Sequence, residues 1–85
     1  WVAAWGSAGG KTGGVVYMNH PDSYRFPQPV RVHPEMPYFV FAPVVSGAFA
    51  LADGSPYRAR YRVIAFDGEP EIADIEARYR SFAQD

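Results

Sequence analysis

Apolar and polar positions alternate most cleanly between residues 57 and 66. Tyr57, Ala59, Tyr61, Val63 and Ala65 fall on one side of an extended chain, and Arg58, Arg60, Arg62, Ile64 and Phe66 on the other. That period of two is the period of a β-strand, and Asp67-Gly68 ends it. The period then lengthens: Ile72, Ile75, Tyr79 and Phe82 recur at three- and four-residue steps, which predicts one stripe of an amphipathic helix running to about Ala83. Pro70 stands where the first helical position is expected, with Glu69 and Glu71 beside the positive helix end.

The preceding chain carries shorter signals. Residues 1–5 read as a strand ending at Gly6, and the five glycines among residues 6–14 predict a flexible turn into a second strand at residues 15–19. That second strand does not alternate, so it is expected to be covered on both faces. A loop over residues 20–29 comes next, stiffened by Pro21, Pro27 and Pro29. Residues 30–33 alternate as a half-buried third strand, and Pro34 and Pro37 mark a turn. The apolar run at residues 38–45 predicts a buried fourth strand, with Pro43 at the end of its ladder or at a bulge. Asp53-Gly54-Ser55-Pro56 closes the next connection as a turn. The expected architecture is mainly β: about five strands, then one C-terminal α-helix packed back on the sheet.

Size narrows this picture. The 85 residues allow one domain at most, and a chain this short buries roughly 60–65% of its surface, so a lone core is marginal. No cysteine is present, so neither a disulfide nor a thiolate zinc site can staple the chain. It opens on the strand-like Trp1-Val2-Ala3-Ala4-Trp5, with no initiator Met and no leader pattern. Residues 1–85 are therefore read as a single segment cut from a longer protein. No apolar run approaches the ~20 residues that span a bilayer, and a net charge of −1 leaves no basic footprint for nucleic acid. Neither membrane nor nucleic acid is an expected partner.

Candidate chemistry concentrates in residues 19–35, which hold both histidines, four of the eight prolines and two of the seven arginines. Two triplets bracket the stretch, His20-Pro21-Asp22 and His33-Pro34-Glu35. An imidazole titrates near neutrality, so His20 on a stiff loop is a candidate general acid or base. The bland alternative is that it caps the strand by bonding a backbone group of its own loop. Asp22 reads more readily as an Asx turn than as a carboxylate partner. His20, Asp22, His33 and Glu35 offer nitrogen and oxygen donors, but the proline inside each triplet hinders ligation by both its members, and no metal ligand is assigned. The arginines of residues 58–62 are read as a solvated face, as partners of Glu69, Glu71 or Glu76, or as a surface for a sugar carboxylate. Gly9-Gly10-Lys11-Thr12 imitates a phosphate loop without the spacing or the succeeding helix. No nucleophile elbow, glycosidase carboxylate pair or cofactor fingerprint is present, and the cofactor stays unknown.

Three stretches carry a family resemblance: Gly14-Val15-Val16-Tyr17-Met18-Asn19-His20-Pro21-Asp22, the Arg-Phe-Pro-Gln-Pro-Val-Arg-Val spacer at residues 25–32, and Tyr57-Arg58-Ala59-Arg60-Tyr61-Arg62-Val63 running into Asp67-Gly68. In this order the chain resembles the C-terminal part of the bacterial family named "methane oxygenase PmoA", otherwise a domain of unknown function. The resemblance covers nearly the whole chain. It implies a large antiparallel β-sandwich similar to the supersandwich of aldose mutarotases, of which residues 1–85 would be an antiparallel β-sandwich segment, the C-terminal third of the domain, and it points to carbohydrate, although fold does not fix function. The first reading is thus a secreted or periplasmic protein that binds or processes carbohydrate. In it His20 is the candidate catalytic residue, and Arg25, Arg31 and His33 are the candidate ligand-binding residues. Two alternatives stay open: a structural or interaction segment without catalysis, and a metal-dependent oxygenase as the family name suggests. The first two separate on whether His20, Arg25 and Arg31 converge on a solvent-facing cleft or turn into the core. On the first, His20→Ala is expected to weaken ligand binding at little cost in melting temperature.

Overall fold

Two strands, β1 (Val2–Ala8) and β2 (Lys11–Asn19), form a hairpin in the computed structural model, which describes residues 1–36 and 38–85. Gly9 and Gly10 join them at φ of 58° and 78°, the pair of left-handed residues that a tight two-residue hairpin requires. The expected flexible run therefore narrows to two glycines. Strand β1 continues through Gly6, and Gly13 and Gly14 are ladder residues facing Gly6 and Trp5. Gly14 is a close-approach glycine, since a Cβ there would collide with the Ala4 carbonyl oxygen and lie 2.8 Å from the Phe66 ring.

The remaining strands are β3 (Val30–Val32), β4 (Phe39–Phe41) and β5 (Tyr61–Asp67), with helix α1 (Ile72–Ala83) after them. Strand β5 runs antiparallel along β2 from Asn19 opposite Tyr61 to Gly13 opposite Asp67, which sets the order β1-β2-β5. Strands β3 and β4 form a separate antiparallel pair. Among the described residues the architecture is mainly β, with five strands in two antiparallel sheets and one C-terminal helix, as the patterning predicts.

Helix α1 covers one face of the three-stranded sheet. Val16 and Met18 from β2 meet Ile75 and Phe82 from α1, with Ala3, Ile64, Phe66 and Tyr79 packed around them. This small cluster is the core. The helix begins after Glu71 in extended conformation, directly behind Pro70. Ile72, expected at the head of the apolar stripe, is instead 67% exposed. The first half of α1 stands off the sheet across a cavity of about 220 Å³ bordered by Ile64, Phe66 and Asp74, so the stripe closes only from Ile75 onward.

Three expectations are corrected. The strand foreseen from residue 57 begins at Tyr61, because the residues before it bond the 20–29 loop instead of a ladder: the Tyr24 N–H donates to the Arg58 carbonyl (2.7 Å) and the His20 N–H to the Arg60 carbonyl (2.9 Å). The third strand is exposed at all three residues rather than half-buried. The apolar run at residues 38–45 yields only three strand residues, after which Pro43 opens a 3-10 turn that leaves Val44 and Val45 exposed. Proline has no N–H for a ladder, and a two-stranded pair covers too little to bury the valines beyond it. Pro37, expected with Pro34 to mark the preceding turn, lies outside the described residues.

The crowding at Gly14 predicts that Gly14→Ala destabilises the fold by about 2 kcal/mol or more. Gly6→Ala, where no atom lies within 4 Å of a built Cβ, should change stability little. Urea unfolding monitored by circular dichroism measures the pair.

Candidate functional site

The loop leaving β2 is tied down by polar side chains that are themselves buried. Asn19, His20, Ser23 and Gln28 are all buried. The Asn19 Oδ1 accepts the Gln28 N–H at 3.2 Å, and the Gln28 amide donates to the Tyr24 carbonyl (2.7 Å) and the Tyr57 hydroxyl (3.2 Å). Tyr61 donates its hydroxyl to the Gln28 Oε1 at 2.6 Å. Ser23 accepts the Arg60 N–H (2.9 Å) and donates to the Arg60 carbonyl (3.2 Å). From α1, the Tyr79 hydroxyl donates to the Asn19 carbonyl at 2.9 Å. Such a network rigidifies a loop because each buried polar group left unpaired would be costly.

His20 belongs to this interior. Its ring is 2% exposed and meets Phe82 edge-on, with centroids 5.0 Å apart. Nδ1 accepts the Asp22 N–H at 3.0 Å, and Arg60 Nη2 lies 3.1 Å from Nδ1 and 2.7 Å from Nε2. Arg60 Nη2 also reaches the Asp22 carboxylate (3.2 Å) and the Asp85 carbonyl (2.8 Å). His33 repeats the local geometry, its Nδ1 accepting the N–H groups of Glu35 (3.1 Å) and Met36 (2.9 Å). Each His-Pro-acid triplet is thus a turn closed by its own imidazole. Proline lacks an N–H, so the first donor available to the ring is the residue two positions on.

Arg25 takes a different direction. It sits at φ 56°, rare for a residue with a side chain. Its Nη1 donates to the carbonyls of Pro43 (3.1 Å) and Gly47, and its Nη2 to Ala48 (3.2 Å). The guanidinium lies 4.8 Å from the Phe49 ring centroid and 5.5 Å from that of Tyr24. Arg31 stands on the exposed strand β3 opposite Val40. The convergence expected of His20, Arg25 and Arg31 is absent: the imidazole turns into the core, Arg25 clips a distant turn, and Arg31 lies apart from both. The arginine-rich strand pairs through Arg60 with Asp22 and through Arg62 with Asp85 at 3.3 Å, and not with the glutamates near the helix. These exposed pairs contribute under about 1 kcal/mol each. Among the described residues no three His, Asp or Glu side chains come together to hold a metal ion.

What the loops do assemble is aromatic. Tyr24, Phe49 and Tyr57 lie within 5.0 to 5.8 Å of one another, Phe49 and Tyr57 nearly parallel at 12°. With Leu51, Ser55 and Pro56 they line a cleft of about 360 Å³ of mixed polar and apolar character. On the sheet face opposite α1, Tyr17, Phe41, Tyr61 and Val63 line an open apolar groove of about 330 Å³. Sequence patterning missed both openings, because residues 24, 49 and 57 share no period that would bring them together.

Burial pushes the Tyr61 hydroxyl up to about 12, helped by its hydrogen bond and charge coupling to Tyr57 and opposed by Gln28. Burial and the nearby Glu76 charge also raise Tyr79.

The sequence model of a family described as "Family of unknown function (DUF6807)" matches residues 1–80. No curated protein and no solved structure matches the chain.

The contacts of His20 and of the tyrosines each carry a measurable consequence. Because His20 fills a core position and caps its own turn, His20→Ala should lower unfolding free energy by about 2–4 kcal/mol in urea titration, reversing the small cost expected of an exposed ring. The raised tyrosines set an alkaline limit. Phenolate forms first in the unfolded chain, near the ordinary 10.0, so the stability they contribute is complete below that pH and falls as pH rises towards about 12. Thermal melts between those limits should show the fall, and Tyr61→Phe should lessen it.

Proposed function

The chain belongs to the family of unknown function DUF6807, and from the geometry and the resemblance of its motifs we propose that residues 1–85 form part of a larger antiparallel β-sandwich that binds carbohydrate. The uncharged sheet face carries the proposal. Strands β2 and β5 bury one face under α1 and hold Tyr17, Tyr61 and Val63 on the other, where Val63 is 56% exposed. A sheet with two apolar faces needs a cover on both. Among the described residues, no charged side chain lines this groove.

The dimensions support the same reading. The chain is a slab of 50 × 33 × 17 Å with a radius of gyration of 15.0 Å, against roughly 12 Å for a compact domain of this length. It exposes 6160 Å², where a compact 9.4 kDa protein would expose about 5,000 Å². The excess, roughly 1,100 Å², is of the order of one side of a standard interface. Among the described residues, only Val16, Met18, Ile75 and Phe82 form the buried apolar core. A second sheet laid over the groove would supply what this layer lacks.

Carbohydrate enters through the resemblance of residues 14–22, 25–32 and 57–68 to the PmoA-named family and its mutarotase-like supersandwich. An aromatic cleft with polar edges suits that ligand class.

In the full-length protein, Val63→Lys should lower the melting temperature by several degrees, because the ammonium would be trapped between two sheets. An unchanged melting temperature would place this face in water and remove the second layer.

A further inference from the structure

We infer that the cleft of Tyr24, Phe49 and Tyr57 is a stacking site for a neutral pyranose. The inference rests on the proposed carbohydrate function and adds where the sugar sits and which class it belongs to.

Three observations carry it. The first is the arrangement of the rings: Phe49 and Tyr57 lie nearly parallel at 12°, and Tyr24 is tilted against both at 56° and 54°. Leu51, on the same cleft, is 74% exposed. A pyranose has a face of C–H bonds and an edge of hydroxyls. The face stacks on aromatic rings, and the edge needs a few neutral donors and acceptors, of which Ser55 lines the cleft here. A volume near 360 Å³ lies at the small end of ligand pockets.

The second observation is that the cleft is braced. Arg25 holds a left-handed backbone, a conformation that residues with a side chain rarely adopt, and from it reaches the three carbonyls of Pro43, Gly47 and Ala48. Those bonds fix the turn that leads into Phe49, and the guanidinium packs against the Phe49 ring. Tyr57 is held from behind by Gln28. The rings are in place before a ligand arrives, which reduces the ordering cost of binding.

The third observation sets the charge of the ligand. The guanidinium beside the cleft has both terminal nitrogens bonded to backbone carbonyls. Arg60 and Arg62 are paired with Asp22 and Asp85. Among the described residues no charged side chain lines the cleft, so a uronate carboxylate would have to take the flanking Arg25 from its carbonyls to be bound bidentately there, whereas a neutral sugar displaces nothing. The groove over Val63 is more apolar than this cleft, which suits the cleft better to a ligand with a hydroxyl edge.

Isothermal titration of the full-length protein with neutral and with uronate oligosaccharides tests this, using Phe49→Leu and Phe49→Tyr. Neutral sugars should bind, Phe49→Leu should weaken them about tenfold, and Phe49→Tyr, which keeps the ring, should restore binding to about the original affinity. Melting curves of both variants should match the original protein, which separates loss of stacking from loss of fold. Undiminished binding by Phe49→Leu would place the sugar elsewhere, and preference for uronates would overturn the neutral class. Binding of neither class would take down the carbohydrate reading itself.

Discussion

The loop over residues 20–29 substitutes for a strand that is not there. Residues 58 and 60 approach the sheet in extended form but have no ladder partner, and their backbone groups would be left to water or left unpaired. His20, Ser23 and Tyr24 take them instead, through the Arg58 and Arg60 carbonyls and the Arg60 N–H. A loop bearing that burden cannot be loose, because losing a bond would leave a further buried group unpaired beside the Asn19 Nδ2, which has no partner among the described residues. Asn19 and Gln28 extend the constraint inward, tying the loop to both tyrosines of the incoming chain.

That duty explains why the residues most suggestive of chemistry act as structure. The imidazole of His20 closes its own turn and packs on Phe82. Arg60 joins the loop to the end of the chain at Asp85, and Arg62 lies over the Phe82 ring. Arg25 binds three carbonyls of a turn some twenty residues away. Bringing these groups together around a ligand would break the bonds that hold the loop.

The two faces of the sheet then diverge in character. One is sealed by α1 around Met18, and the other meets Phe39 and Phe41 of the β3–β4 pair through Tyr17 and Tyr61 and stays open and uncharged at Val63. The loops at the end of β5 present rings with polar edges. A covering layer suits the groove, and a small polar-edged molecule suits the cleft. The division arises from alternation along β5, which sends Tyr61 and Val63 one way and Ile64 and Phe66 the other.

Local pattern alone determined the main elements: the alternation of residues 57–66 foretold the faces of β5, the spacing of Ile72, Ile75, Tyr79 and Phe82 foretold the inner side of α1 from Ile75 onward, and the glycine-rich run foretold a turn between the first two strands. These are legible because periodicity and backbone freedom are properties of neighbouring residues. The strand limits were less so, since Pro43 and the 20–29 loop decide them through contacts between distant segments. Only tertiary structure decided that His20 faces inward and that Tyr24, Phe49 and Tyr57 meet. An imidazole or an aromatic ring is equally at home in a core or on a surface, and the partners that choose between them lie tens of residues away.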